Sequence, residues 1–267
     1  MRSILPMFRA SMRSIVRDRQ TLIGATVFPT IFLLAFAAFD IGLTGAGLDT
    51  TGGGIDYFDF VLPGILGMAT LQFAIFWTSG SYARMGETKV LRRLEATPVP
   101  KGAFLVGQVL ARLVLVAVQA AVVLGVGVVM GADIAGNLLW MIVLTLLGAA
   151  TFLSLGFAIG ARAANVDAAG MMSGIAVMPI VFLSGAWFPI EGLPGWLETV
   201  MNWLPLAPLL EAMRSVMIEG AGIGAIGGEI AQVVAWIPVM FGVAVLAMRP
   251  ASSRASRRRL RTAEAVA

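Results

Sequence analysis

Six long apolar stretches dominate the pattern of hydrophobic and polar positions along this chain. They are Thr21–Phe39, Phe60–Gly80, Leu113–Met130, Leu138–Ala161, Ala169–Phe188 and Ala231–Met248. A helix needs roughly 17–25 apolar residues to cross a bilayer, and each stretch reaches that length. Only helices and closed barrels satisfy their backbone hydrogen bonds in lipid. The pattern therefore predicts an all-α integral membrane protein with six transmembrane helices.

The first stretch also permits another interpretation, a cleaved signal peptide with Ala35-Phe36-Ala37 as the cleavage site. Its basic leader is long, however, and the apolar run exceeds the usual core of a signal peptide. An uncleaved first helix is therefore favoured.

Residues 1–20 carry a shorter, amphipathic pattern. Its apolar positions recur at helical spacing and are Ile4, Leu5, Phe8, Met12, Ile15 and Val16. Arg9, Arg13 and Arg17 form a stripe at i, i+4 spacing. The pattern predicts an interfacial helix in the inner leaflet, with its arginines on lipid phosphates. Two roles stay open for it: a basic retention signal, or a helix that also braces a cytoplasmic subunit.

The connections between the stretches differ in character. The glycine-rich segment Asp40–Asp59 predicts a flexible loop, and the short polar turn Gly131–Asn137 predicts a tight hairpin of the third and fourth helices. The segment 184–220 is apolar but interrupted by Pro189, Pro194, Pro205 and Pro208. It is too broken to cross a bilayer and too apolar to be solvated, so we expect it to dip into the membrane surface.

The charged residues fall on alternate sides of the predicted spans. The basic ones beside the spans are Arg2, Arg9, Arg13, Arg17, Arg19, Arg84, Lys89, Arg92, Arg93, Lys101, Arg162, Arg249, Arg254, Arg257, Arg258, Arg259 and Arg261. The opposite loops carry Asp40, Asp49, Asp56, Asp59, Asp133, Glu191, Glu198, Glu211, Glu219 and Glu229, with Arg214 as their single base. Because positively charged loops stay in the cytoplasm, both termini are predicted to be cytoplasmic. Residues 1–250 then form one transmembrane domain, and residues 251–267 a basic, disordered tail.

Composition narrows the class of protein further. The chain is 58% hydrophobic and 13% charged, with a mean hydropathy of +0.90 and a pI near 10.3. The excess of basic over acidic residues comes from arginines that lie beside the apolar spans. This position favours contact with lipid headgroups and disfavours nucleic acid as a partner. The 267 residues include no histidine and no cysteine, so the usual ligands of zinc and haem are missing and no metal site is expected.

Little in the chain points to chemistry of its own. No G-x-x-x-x-G-K-[ST] motif is present to cradle a nucleotide phosphate, and no pair of acids lies within the spans to hold a coupling ion. An enzyme is therefore disfavoured, and any transport must be driven by a partner.

Arg112 lies within the apolar part of a helix that is predicted to begin near Gly102. We expect Arg112 to snorkel to the inner surface, or Ala103–Arg112 to lie along the interface, in preference to a buried functional arginine.

The segment 84–100 is the candidate contact for such a partner. Val90, Leu91 and Leu94 fall on one helical face flanked by charges, and Pro98 and Pro100 end the helix. An apolar stripe on a short charged helix needs a surface to cover it, which is either lipid or a groove in a protein.

Two motifs resemble signatures of the ABC type-2 permease family. The stretch Glu87…Leu91…Leu94-Glu95-Ala96-Thr97-Pro98-Val99 resembles its coupling helix, in which an acidic residue precedes an L-x-x-L-x-x-T-P-[VL] run. The stretch Leu183-Ser184-Gly185…Phe188-Pro189…Leu193-Pro194-Gly195-Trp196…Leu204-Pro205-Leu206…Arg214 resembles the external re-entrant helical hairpin between spans five and six. Within the family, the chain looks most like permeases of daunorubicin and multidrug resistance.

The resemblance implies a permease subunit in a bacterial plasma membrane, which dimerises with a second permease, identical or different, and binds two copies of a separate ATPase that holds ATP and magnesium. The expected coupling residues are Glu87, Val90, Leu91, Arg92, Arg93, Leu94, Glu95, Thr97 and Pro98. The expected exit-hairpin residues are Gly185, Phe188, Pro189, Leu193, Pro194, Trp196, Pro205 and Arg214. ATP-driven closure of the ATPases would then open the pathway outward.

The cargo implied by this likeness is a hydrophobic or amphipathic molecule. Met171, Met172, Met178, Phe182 and Trp187 form one candidate substrate-facing surface, with Gln72 on the second span, because methionine-rich surfaces adapt to varied ligands. Simple packing of a helix bundle would produce the same spacing. Export of polysaccharide or lipid-linked glycan, and a non-transporting membrane scaffold or immunity protein, remain as alternatives.

Overall fold

A computed structural model describes residues 4–45, 57–90, 101–185 and 194–248, and the regular structure throughout these ranges is helical. Its α-helices are α1 (Ile4–Arg17), α2 (Arg19–Gly45), α3 (Tyr57–Gln72), α4 (Thr78–Glu87), α5 (Lys101–Val129), α6 (Leu138–Arg162), α7 (Val166–Phe182), α8 (Gly195–Trp203), α9 (Leu206–Ile218) and α10 (Gly227–Met248). A π-helical segment, Phe73–Trp77, joins α3 to α4, so that Tyr57–Glu87 is one continuous helix. The all-α class is therefore confirmed for the described residues.

Four helical stretches in the described residues are long and apolar enough to cross a membrane. They are Phe58–Glu87, Val106–Val129, Leu138–Arg162 and Gly227–Ala244. Two shorter apolar helices, Thr26–Ala38 and Val166–Phe182, coincide with the predicted first and fifth spans. Each helix satisfies its backbone hydrogen bonds within itself, as lipid requires, and the apolar core of the bundle lies mainly between α3, α6 and α9.

The amphipathic helix α1 packs across α5. Ser11 is buried and Ile15 contacts the core, while Arg9, Arg13 and Arg17 are exposed on another face. A Cβ at Gly107 of α5 would lie 2.9 Å from the backbone nitrogen of Phe8, so α1 rests directly on the α5 backbone. A helix is therefore present over the predicted segment with its three arginines exposed, and its position in the membrane interface stays a prediction.

Two predicted boundaries are wrong. The predicted loop Asp40–Asp59 begins too early, because α2 continues to Gly45, and the one proline in this helix, Pro29, lies well before Asp40. The fifth apolar helix ends at Phe182 and not at Phe188, because the chain turns at Leu183–Gly185 and Gly185 adopts a left-handed φ of 69°. Helix α5 begins at Lys101, so the early start predicted for the third helix is confirmed.

Helix α6 approaches the continuous helix Tyr57–Glu87 so closely that glycine is required at the contact. A Cβ at Gly160 would lie 2.6 Å from the carbonyl oxygen of Ser79, and a Cβ at Gly156 would collide with the carbonyl oxygen of Ala74. Small residues permit this backbone contact, which provides dispersion attraction between helices where lipid supplies no hydrophobic drive. The contact fixes the position of the π-helical segment and of α4.

We expect Gly156→Ala to lower the free energy of unfolding by about 1–3 kcal/mol, because its methyl group would overpack a backbone contact. Gly125→Ala is the matched control, since the space around Gly125 on α5 is open. That control should be neutral or slightly stabilising, because alanine is the better helix former. Thermal unfolding of the full chain in detergent measures both, and equal melting temperatures would contradict the close contact.

Candidate functional site

The charged loops gather at two ends of the bundle. At one end, the backbone N–H of Asp133 donates to the Asp59 carboxylate over 3.2 Å. At the other end, the Glu87 carboxylate accepts from the backbone N–H of Val166 over 3.0 Å. Loops that the charge pattern assigns to one side of the membrane therefore meet at one end of the structure.

The predicted coupling segment 84–100 begins on the last turn of α4. Glu87 ends that helix, Lys89 follows in a left-handed conformation with a φ of 57°, and Val90 is exposed. The remaining predicted coupling residues lie outside the described residues and are Leu91, Arg92, Arg93, Leu94, Glu95, Thr97 and Pro98. The structure therefore shows where the segment is attached, and its tip stays a prediction.

Glu87 binds the first turn of α7. The N-terminal N–H groups of a helix lack partners within it, and its dipole favours a negative charge there. Glu87 takes the N–H of Val166, while the Asn165 side chain accepts from the N–H of Ala168 over 2.7 Å. The end of α4 and the start of α7 are thus held together by one carboxylate.

Arg112 forms a buried polar cluster between α5 and α4. Its guanidinium donates from Nε to Thr78 Oγ1 over 3.1 Å and from Nη2 to Ser81 Oγ over 3.0 Å. Nη1 donates to the Gln108 backbone carbonyl over 3.2 Å and to the side-chain oxygen of Gln108. The guanidinium carbon lies 5.1 Å from the centre of the Phe157 ring. Every part of the cation therefore meets an acceptor or an aromatic face.

The expectation that Arg112 snorkels to the surface is wrong, since its side chain is only 4% exposed. An arginine snorkels when its helix faces lipid, because it finds hydrogen-bond acceptors only at the membrane surface. Here the polar face of α4 supplies acceptors for Arg112 inside the bundle, so the guanidinium can stay buried. Among the described residues, no carboxylate pairs with this guanidinium. The helical spacing of Gln108 and Arg112 was the signal in the sequence for an inward polar face.

Two more polar contacts lie deep in the bundle. The hydroxyls of Ser79 and Ser173 are 2.7 Å apart and join α4 to α7. Gln119, two helical turns beyond Arg112 on α5, is 1% exposed, and both its amide atoms lack a hydrogen-bond partner among the described residues. The hydrophobic pattern predicts none of these three buried polar positions, because all three residues lie inside apolar stretches.

The predicted substrate-facing residues lie on the outer face of α7. Met171, Met178 and Phe182 are largely exposed, and Ile175 completes the stripe at helical spacing. Gln72 is half-buried on α3, and Trp187 lies outside the described residues. The stripe points away from Ser173, so it faces outward from this chain.

The predicted exit hairpin contains two short helices with different surroundings. Helix α8 exposes Trp196 and is bound to α10, because Trp236 Nε1 donates to the Trp203 carbonyl over 3.0 Å. Helix α9 is buried, and a Cβ at Gly67 of α3 would lie 2.5 Å from Leu210. Pro194 precedes α8 and the buried Pro205 precedes α9, while Phe188, Pro189 and Leu193 lie outside the described residues.

Arg214 binds α9 to the end of α7 and the start of α3. Its Nη2 donates to the Gly185 carbonyl over 2.8 Å, and its guanidinium carbon lies 4.0 Å from the centre of the Phe60 ring. Burial lowers the pKa of Arg214 to about 10, and the charge of Glu211 opposes that shift. The guanidinium therefore remains a cation at neutral pH.

These features define a multi-pass helical membrane protein, and its sequence contains no nucleotide-binding loop. The described residues contain no group of three or more histidine, cysteine, aspartate or glutamate side chains able to hold a metal ion. The chain matches the family model described as ABC-2 type transporter over residues 1–218. It therefore belongs to the ABC-2 type transporter family, which confirms the family that its two motifs indicate.

Two relatives show the breadth of this likeness. The chain is 29% identical over 195 residues to ABC transporter G family member 20 of Dictyostelium discoideum, covering 72% of this chain and 27% of that protein. It is 24% identical over 171 residues to the probable multidrug ABC transporter permease YbhR of Escherichia coli strain K12, covering 63% of this chain and 46% of YbhR. The matched regions thus span less than half the length of either relative.

We expect Gln119→Leu to raise the free energy of unfolding by about 1 kcal/mol, because it replaces a buried amide without partners by an apolar group of similar size. Gln108→Leu on the same helix is the matched comparison and should destabilise the chain, because it removes an acceptor from Arg112. Melting temperatures in detergent measure both changes. A destabilised Gln119→Leu variant would show that this amide has a partner.

Proposed function

We propose that this chain is the membrane permease subunit of an ATP-driven exporter that moves a hydrophobic or amphipathic molecule out of a bacterial cell. Family membership supports the transporter class, and the name of the relative YbhR points to multidrug cargo. The chain has no nucleotide-binding loop, so ATP and magnesium would be bound by a separate ATPase subunit. The observation that carries the proposal is the attachment of the coupling segment to α7 through Glu87.

The proposed orientation places both termini and the Glu87 end in the cytoplasm. The basic residues Arg17, Arg84 and Arg162 lie at or near that end of their helices, as the positive-inside rule requires. The short apolar helices Thr26–Ala38 and Val166–Phe182 would complete six spans, with the 27-residue α2 crossing at a tilt and the 17-residue α7 crossing a locally thinned bilayer or beside a partner.

The proposed path of coupling runs from the ATPase to α7. Two ATPase copies would bind the segments from two permease subunits, with Leu91 and Leu94 in a groove of the ATPase. The tip of the segment is joined to α4, and α4 is joined to α7 by the Glu87–Val166 bond and the Ser79–Ser173 bond. A displacement at the tip would therefore reach the outward methionine face of α7, where a second permease or cargo would lie.

The exit hairpin is proposed to re-enter the membrane and to seal the bundle. Leu210, near the start of α9, contacts Gly67, which lies ten residues along α3 from Tyr57. At about 1.5 Å per residue, the start of α9 lies about 15 Å along the helix from Tyr57, where α3 begins. Because this chain buries most of α9 and leaves Glu211 exposed, α9 is suited to closing the exit, and the exposed α8 is the part able to meet cargo.

We expect Leu91→Asp combined with Leu94→Asp to abolish both co-purification of the ATPase subunit and ATP-dependent efflux of a hydrophobic fluorescent drug. The two carboxylates would have to be desolvated in an apolar groove, which costs several kcal/mol. Affinity capture of the tagged chain from cells that express the neighbouring ATPase gene measures the first effect, and drug accumulation measures the second.

Val129→Asp is the control for that experiment, since Val129 is exposed at the opposite end of α5. This variant should retain the ATPase. Retention of the ATPase by the double variant would contradict the coupling assignment. ATPase binding without efflux of any drug by the unmodified chain would favour glycan export, and the absence of any bound ATPase would favour a scaffold.

We expect Glu87→Ala to reduce efflux several-fold while leaving ATPase co-purification unchanged. The variant removes the bond to Val166, and a lost helix cap costs about 0.5–2 kcal/mol. Glu87→Gln keeps an acceptor oxygen and should restore most of the efflux. If both variants instead released the ATPase equally, Glu87 would act by its charge on the partner and not by positioning α7.

A further inference from the structure

A cavity of about 600 Å³ lies between α1, α4 and α7 at the Glu87 end of the bundle. Its polar lining includes Ser14 and Arg17 from α1, and Ser81 and Arg84 from α4. Phe76, Trp77 and Met85 form an apolar wall beside them. The cavity therefore joins a cationic rim to an apolar surface, at the helix that the sequence places in the membrane interface.

The rim carries a net positive charge. Arg17 and Arg84 are exposed, and neither guanidinium has a hydrogen-bond or ion-pair partner among the described residues. Asp18 is the carboxylate in the described lining, so two arginines and one aspartate leave a net charge of +1. Glu87 lies outside this lining but adds a negative charge nearby, where its carboxylate accepts from the Val166 N–H and is offset in part by the positive end of the α7 dipole.

A third guanidinium lies directly behind the cavity wall. Ser81 Oγ accepts from Arg112 Nη2 over 3.0 Å and also lines the cavity. Because that oxygen accepts from the cation, the Ser81 hydroxyl proton is available to donate into the cavity. Arg112 is buried without a carboxylate partner in the described part of the chain, so an anion at this place would offset an uncompensated buried charge.

We propose that this cavity binds the phosphate of an anionic lipid headgroup from the inner leaflet. The phosphate would sit between Arg17, Arg84 and the Ser81 hydroxyl, which together supply charge-assisted hydrogen bonds. The glycerol backbone and upper acyl chains would cover Phe76, Trp77 and Met85. Inorganic phosphate shares the headgroup chemistry, but it would leave this apolar wall exposed to water.

Native mass spectrometry of the delipidated full chain in neutral detergent tests the site. Dioleoylphosphatidylglycerol is expected to bind at one site per chain, about tenfold more tightly than dioleoylphosphatidylcholine, because the phosphatidylcholine headgroup carries no net charge. The double variant Arg17→Gln, Arg84→Gln should lose about tenfold in affinity for phosphatidylglycerol, and Ser81→Ala should lose several-fold. The single variants Arg17→Gln and Arg84→Gln should each lose part of the affinity for phosphatidylglycerol. They keep the test decisive if the double variant folds poorly.

The double variant Arg9→Gln, Arg13→Gln is the matched control. It removes the same charge from the exposed stripe of α1, yet neither residue lines the cavity, so its affinity should stay within about twofold of the unmodified chain. An equal loss in this control would overturn the site in favour of diffuse attraction to the helix. Unchanged affinity in the cavity variants would overturn it as well. Displacement of the lipid by inorganic phosphate at equal concentration would overturn the lipid assignment and identify a free-anion site.

Discussion

The constraint on which this structure depends is that polar groups inside an apolar bundle must find partners within the chain. Arg112 shows the constraint most clearly, because a buried cation without acceptors would cost many kcal/mol. Thr78, Ser81 and Gln108 supply those acceptors, and the position of α4 against α5 follows from them. Gly160 completes the arrangement by letting α6 approach the backbone of the same helix closely. The continuous helix Tyr57–Glu87 is thus held by polar bonds and by close backbone packing.

That helix links the coupling segment, at which the ATPase is proposed to act, to the proposed exit hairpin at the other end of the bundle. One end bears the exposed start of the coupling segment, and the other end begins at Tyr57 beside the exit hairpin. Its bonds to α7, at Ser79 and at Glu87, are polar, directional and separated by two helical turns. Two such bonds resist rotation as well as separation, so α4 and α7 are expected to move together. Helix α9 instead packs through apolar side chains, which permit small sliding motions more readily.

Much of the fold was predictable from the sequence, because hydrophobic length and charge act locally along the chain. The helices Leu138–Arg162 and Gly227–Met248 begin or end within a few residues of the predicted stretches, and the amphipathic helix α1 carries its arginine stripe as predicted. The predictions failed where a boundary or an orientation depends on distant residues. Helix α7, the predicted fifth span, ends at Phe182 just before a left-handed Gly185, whose carbonyl Arg214 binds from 29 positions away, and Arg112 turns inward to meet α4. Neither partner is visible in a local window of sequence.

The sequence by itself determined that this is a helical membrane protein of the ABC-2 type transporter family. Apolar runs of membrane length and two spaced motifs can be recognised along the chain without knowing which residues are in contact. Tertiary structure alone decided what the polar residues do. It turned Glu87 towards the N–H groups of α7, buried Arg112 behind a cationic cavity and left the Gln119 amide without a partner in the described chain. The physical reason is that apolar burial depends mainly on composition and length, whereas a hydrogen bond requires two specific atoms at one distance and angle.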